Sequence, residues 1–114
     1  MKLIFKFLLF LLLIMSCKMA SSQVKVIQFN AEWNKANNVS WCNSKNLSDC
    51  KVYYIDIAKS PDKQKKYNVV VVPTIVVFKD GEEIKRYQAN LSFKITATKN
   101  DIQELIDESI MSGF

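Results

Sequence analysis

Residues 69–89, VVVVPTIVVFKDGEEIKRYQA, constrain the fold more than any other part of the chain. Residues 74–78 (TIVVF) are apolar at nearly every position. That is the pattern of a strand covered on both faces, not one. Residues 69–72 form an extended lead into Pro73. The Asp80-Gly81 pair supplies the positive φ values a tight hairpin needs, so residues 83–89 are expected to return as an antiparallel neighbour. A strand buried on both faces needs layers above and below it, and the rest of the chain must supply them.

It does so with alternating elements. Residues 24–29 (VKVIQF) and 51–57 (KVYYIDI) read as short strands. Residues 34–47 between them are expected to be helical, with Asn34 as N-cap and a thin apolar pattern of Ala36, Val39 and Cys42. Residues 61–67 read as a short helix, capped by Ser60 and opened by Pro61 at its first position. Residues 101–111 form the last helix, with Ile102, Leu105, Ile106 and Ile110 on one face and a capping-box-like start from Thr98 and Asp101. The order is β-α-β-α-β-β-α. The first two strands need a crossover and are therefore parallel. The fold class is α/β, a mixed four-stranded sheet with helices on both faces.

Residues 1–22 read as a secretory signal peptide and residues 23–114 as one domain. Lys2 and Lys6 precede the unbroken apolar run FLLFLLLIM at residues 7–15, and small residues follow at Ala20, Ser21 and Ser22. The run is short of the ~20 residues that cross a bilayer. One route cuts after Ser22. The alternative is a bacterial lipobox, which Ile14-Met15-Ser16-Cys17 resembles, ending before a lipidated Cys17. Both routes export the domain to the periplasm or beyond, and the membrane enters only through such a lipid anchor. Net charge is +5, and it falls to +2 without Lys2, Lys6 and Lys18. With no basic run carrying interleaved aromatics, nucleic acid is not an expected partner. The chain has no His, the commonest general base and metal ligand. No metal site or cofactor is expected.

These residues resemble the thioredoxin family. Residues 55–74, IDIAKSPDKQKKYNVVVVPT, follow the family's strand, proline-started helix, "KKY" and "VPT" without a gap, and TIVVFKDGEEIKRYQA continues into its hairpin. The resemblance implies a thioredoxin-like fold and a cis peptide bond at Val72–Pro73 beside the family's active site. Phe29-Asn30-Ala31-Glu32-Trp33 is similar to the family's "FWAEW". A redox-active member would continue with C-x-x-C, but here the next residues are Asn34-Lys35-Ala36-Asn37, so both cysteine positions are Asn. The family's buried acid falls on Gln28. Disulfide exchange needs an attacking thiolate and a resolving thiol. A carboxamide supplies neither, so the usual site is expected to be redox-inactive. The two amides either cap the helix start or hydrogen-bond a bound partner. Trp33, Asn34, Asn37, Val72 and Pro73 are then the candidate binding residues for an extended peptide or an envelope protein, with Val72 offering backbone groups for strand addition.

Two further cysteines, Cys42 and Cys50, have three readings. They are a structural disulfide suited to an exported domain, two small buried apolar residues, or a relocated redox pair. The last requires an exposed thiol of low pKa, and it makes the alternative function a thiol–disulfide oxidoreductase using Cys42 and Cys50.

Overall fold

The structure, a computed structural model, describes residues 23–112. The expected signal peptide and Cys17 lie outside the described residues. The elements are β1 (Val24–Asn30), a 3-10 helix (Glu32–Asn37), β2 (Lys51–Asp56), α1 (Pro61–Lys66), β3 (Thr74–Lys79), β4 (Glu82–Gln88) and α2 (Lys99–Ser112). The strands form one sheet in the order β2-β1-β3-β4. β1 runs parallel to β2 and antiparallel to β3, and β3 pairs antiparallel with β4. The mixed sheet is the expected one. Its hairpin turns through Asp80 and Gly81, whose φ values of 51° and 87° match the turn chemistry of that pair.

Side chains alternate across the sheet and build two cores. On one face Val24, Val26, Ile75 and Val77 pack with Ile102 and Ile106 of α2 and with Cys42 and Leu47. On the other, Ile27, Phe29 and Val76 pack with Val69 and Val72, and Tyr67 closes the edge at the end of α1. Tyr67 stacks between Phe29 and Phe78, at centroid distances of 5.2 and 5.8 Å. Phe29, Ile75, Ile102 and Ile106 are fully buried, each stabilising the fold by about 1.5–3 kcal/mol relative to exposure.

Three local expectations are corrected. The helix over residues 34–47 is absent: the chain makes the six-residue 3-10 helix and then a series of turns. The cause lies in the side chains. Asn43 Oδ1 accepts from the Lys45 and Asn46 N–H groups, and Asn43 Nδ2 donates to the Ser40 carbonyl at 2.7 Å. Asn and Ser offer the backbone local partners that compete with helical bonds, and the apolar stripe is too thin to overrule them. Ser60 precedes α1 without a side-chain cap bond, although Pro61 does open the helix. On α2 the buried stripe runs Ile102, Ile106, Ser109, while Ile110 is 41% exposed. Ser109 fits there because its hydroxyl donates to the Ile106 carbonyl at 2.7 Å. The start of α2 is as expected, with the Thr98 N–H donating to Asp101 and the Asp101 N–H to Thr98 Oγ1. The Thr98 N–H bond, and after it the Thr98 hydroxyl, hold the Asp101 carboxyl below its ordinary pKa.

Two tethers hold the loop segments, one on each face of the sheet. Arg86 of β4 donates to the Tyr67 and Asn68 carbonyls at 2.7 and 2.9 Å while pairing with Glu83, which fixes the segment entering Val69. Gln103 of α2 and Ser48 exchange reciprocal bonds of 2.9 and 3.1 Å, which hold the irregular segment before β2 against the helix.

Candidate functional site: an amide-filled pocket beside a cis-proline groove

The site forms where β1 ends and β3 begins. The Val72–Pro73 peptide bond is cis. Around it the backbone carbonyls are already engaged. Thr74 Oγ1 donates to Val71 O at 2.7 Å, Asn34 Nδ2 to Val72 O at 3.3 Å, and the Ala89 N–H to Pro73 O at 3.1 Å. The Val72 N–H has no acceptor among the described residues.

Asn34 is neither a helix cap nor a solvent-facing group. It is 4% exposed, and Ala31 occupies the cap position. Its Nδ2 also donates to Asn30 Oδ1 at 3.0 Å, and its Oδ1 accepts from Asn37 Nδ2 at 2.8 Å. Asn30, fully buried at the end of β1, donates back to the Asn34 carbonyl at 3.2 Å and to Asn38 Oδ1. The Asn30 carbonyl accepts from the Ile57 N–H at 2.9 Å. Four carboxamides therefore close on one another, and no buried side-chain nitrogen or oxygen among the described residues lacks a partner. A buried amide is tolerated only when its donors and acceptor are met in this way. Because Asn does not ionise, none of the four carboxamides titrates; the ionisable group at their edge is Tyr54, which hydrogen-bonds Asn38 and whose phenol burial holds above its ordinary pKa. The carboxamides can hold geometry but not move a proton or an electron pair.

Beside it lies a groove of about 370 Å³. Trp33, Ile57, Val70, Val71, Leu91 and Phe93 line it, with Val72 beneath and the Gln64 and Asn90 side chains as its polar members. Trp33 is 68% exposed and meets Phe93 edge-to-face at 5.9 Å. Leu91 is fully exposed. The loop carrying Leu91 and Phe93 is shaped by Asn90, whose Oδ1 accepts from the Ser92 and Lys94 N–H groups. Phe93 holds a φ of 61°.

Of the five expected binding residues, Trp33 and Val72 line the groove, while Pro73 is fully buried at the cis bond next to Val72 and does not line it. Asn34 and Asn37 are not among its lining residues; Asn34 bonds the Val72 carbonyl and Asn37 bonds Asn34. Ile57, Val70, Val71, Leu91 and Phe93 were missed from the sequence. The signal available was two apolar residues in the otherwise polar run Asn90–Lys94, together with the unbroken valines before Pro73.

Cys42 and Cys50 are free thiols that share the core under α2, across the sheet from the groove. Burial, and after it the nearby Cys50, push the Cys42 thiol up to about 12, with a Gln28 hydrogen bond acting the other way. Burial and then Asp49 raise Cys50. At pH 7 the Cys42 thiol is held neutral, the reverse of a reactive cysteine. Gln28, standing where the resemblance expects an acid, pins the neighbouring chain: its Oε1 accepts from the Val39 N–H at 2.8 Å and its Nε2 donates to the Val39 carbonyl at 3.3 Å.

The parallel–antiparallel sheet, the flanking helices and the groove beside a cis-proline define a thioredoxin-like domain. A model of the thioredoxin family matches residues 16–107, and the chain belongs to that family. A thioredoxin of Chlamydia trachomatis serovar D is 31% identical over 70 residues, 58% of this chain and 69% of that protein. Among solved structures, a single-site mutant of thioredoxin from Halobacterium salinarum superposes with a TM-score of 0.61 at 24% identity, covering 77% of this chain and 74% of that one. Thioredoxin from Fasciola hepatica gives 0.55 at 26% identity, covering 77% and 82%.

Proposed function

We propose that this chain is an exported thioredoxin-domain binding module that holds an extended apolar peptide segment, or a partner protein presenting one, without exchanging disulfides at the family's usual positions. The observation that carries the reading is the closed carboxamide network at Asn30, Asn34, Asn37 and Asn38 beside an open apolar groove. Sulfur chemistry has no atom to act through there, because exchange requires a thiolate and a resolving thiol. The groove keeps what capture requires. Trp33 is a large exposed anchor of the kind that dominates interfaces, apolar walls surround it, and the Val72 N–H can donate to an added strand.

The oxidoreductase reading would assign the chemistry to Cys42 and Cys50. Their raised pKa values and their place on the far side of the sheet weigh against it. An insulin-reduction assay with dithiothreitol as electron donor tests the choice. The binding-module reading expects a rate no higher than that of a buffer control, in the wild type and in a Cys42→Ser/Cys50→Ser variant. Turnover abolished by that double substitution would replace it with the oxidoreductase.

A further inference from the structure

We propose that Cys42 and Cys50 are an oxidisable pair that closes into an internal disulfide, stapling the irregular segment between the 3-10 helix and β2 to the core under α2. Four observations bring the two cysteine side chains into one neighbourhood. Both side chains belong to one apolar cluster, Cys42 buried within it and Cys50 packed at its edge. Leu47, 2% exposed, roots the middle of the intervening segment in the same cluster. Asp49 takes a φ of 61°, turning the chain back immediately before Cys50. The Ser48–Gln103 pair clamps this turn to α2. The two thiols also sense each other electrostatically, Cys50 disfavouring the Cys42 thiolate. The segment has turns where a helix was expected and few backbone bonds of its own, so a covalent link has most to add here.

The reaction needs a two-electron oxidant, and a disulfide such as oxidised glutathione supplies it. Cys50, the more accessible sulfur, loses its proton and attacks the oxidant. A mixed disulfide forms and one thiolate leaves. Cys42 then loses its proton and attacks Cys50 Sγ, releasing the second thiolate. Two cysteine thiols are oxidised, one disulfide is reduced to two thiols, and the two protons end on the products. The buried Cys42 and the half-buried Cys50 both have raised pKa values, and departure is slower from a sulfur of higher pKa. The closed bridge therefore resists reduction, as a structural link does and a catalytic couple does not. An oxidising compartment is what the export reading provides, but the chemistry stands apart from the groove and its test does not depend on peptide capture.

The test is peptide mapping of the purified full chain after incubation with oxidised glutathione, quenching in acid and alkylation under denaturing conditions. Trypsin cuts after Lys35, Lys45 and Lys51. It therefore separates residues 36–45, carrying Cys42, from residues 46–51, carrying Cys50. The expected result is that these two peptides run as one linked species, unalkylated, and part only after reduction. The bridged protein should also melt roughly 10 °C or more above its reduced form. Two separate alkylated peptides, or either cysteine linked to Cys17 or to another chain, would overturn the proposal. So would reduction of the linked species by dithiothreitol as fast as that of glutathione disulfide.

Discussion

Replacing Asn34 by Ala removes one carboxamide and leaves three groups without their partner: Asn30 Oδ1, the Val72 carbonyl and Asn37 Nδ2. Asn30 and Val72 are buried, so water reaches them poorly. Each buried polar group left unpaired costs about 1–3 kcal/mol. Partial relaxation and the half-buried position of Asn37 bring the total to about 3 kcal/mol. For a domain of this size that corresponds to a fall in Tm of roughly 12–24 °C. Urea unfolding followed by far-UV circular dichroism reads it as a lower midpoint at unchanged m. Lys35→Ala is the control from the same turn, since its ion pair with Glu32 is exposed on both sides and should count for less than ~0.5 kcal/mol. Were Asn34→Ala to cost no more than Lys35→Ala, the network would not hold the site together and the reasoning from saturated amides would fail.

Three further outcomes follow from the same geometry. Trp33→Ala should leave the urea midpoint within ~0.5 kcal/mol of wild type, because the ring is mostly exposed, yet weaken capture of an apolar peptide by about tenfold or more. Leu47→Ala should cost about 2–5 kcal/mol in the same unfolding assay, since a fully packed side chain leaves a cavity under α2. In the reduced protein the folded Cys42 pKa lies above its unfolded value of 9.0, near 12, so the folded state favours the neutral thiol. That contribution is fully present below pH 9 and is lost as pH rises toward 12. Unfolding midpoints measured from about pH 8 to 11 should fall in the reduced wild type and fall less in Cys42→Ala.

Much of the fold was legible in the sequence because it rests on local signals. The doubly buried run at residues 74–78, the Asp80-Gly81 turn, Pro61 at the head of α1 and the Thr98–Asp101 box each carry their own physical reason. The segment after Trp33 was misread. Helix propensity there is weak, and its outcome depends on Asn43 capturing backbone groups of its neighbours, a competition that periodicity cannot weigh. The site was half legible. The resemblance sets Asn34 and Asn37 at the motif's cysteine positions, an expectation read from the sequence alone. That Asn34 turns inward to Asn30 and Val72 is not legible there, because those partners meet only once β1 and the Pro73 turn are adjacent. Leu91 and Phe93 stand out in the sequence only as apolar residues in a polar run; that Phe93 meets Trp33 follows only once β4 has returned along the sheet.

Amide shift mapping tests the whole account most directly. An apolar peptide is first selected by display against the immobilised chain, then titrated into ¹⁵N-labelled protein. The account predicts saturable shifts at Trp33, Val70, Val71, Val72 and Phe93, and none at Cys42 or Cys50 beneath α2. Shifts clustered instead around the two cysteines, with the Trp33 face silent, would contradict it.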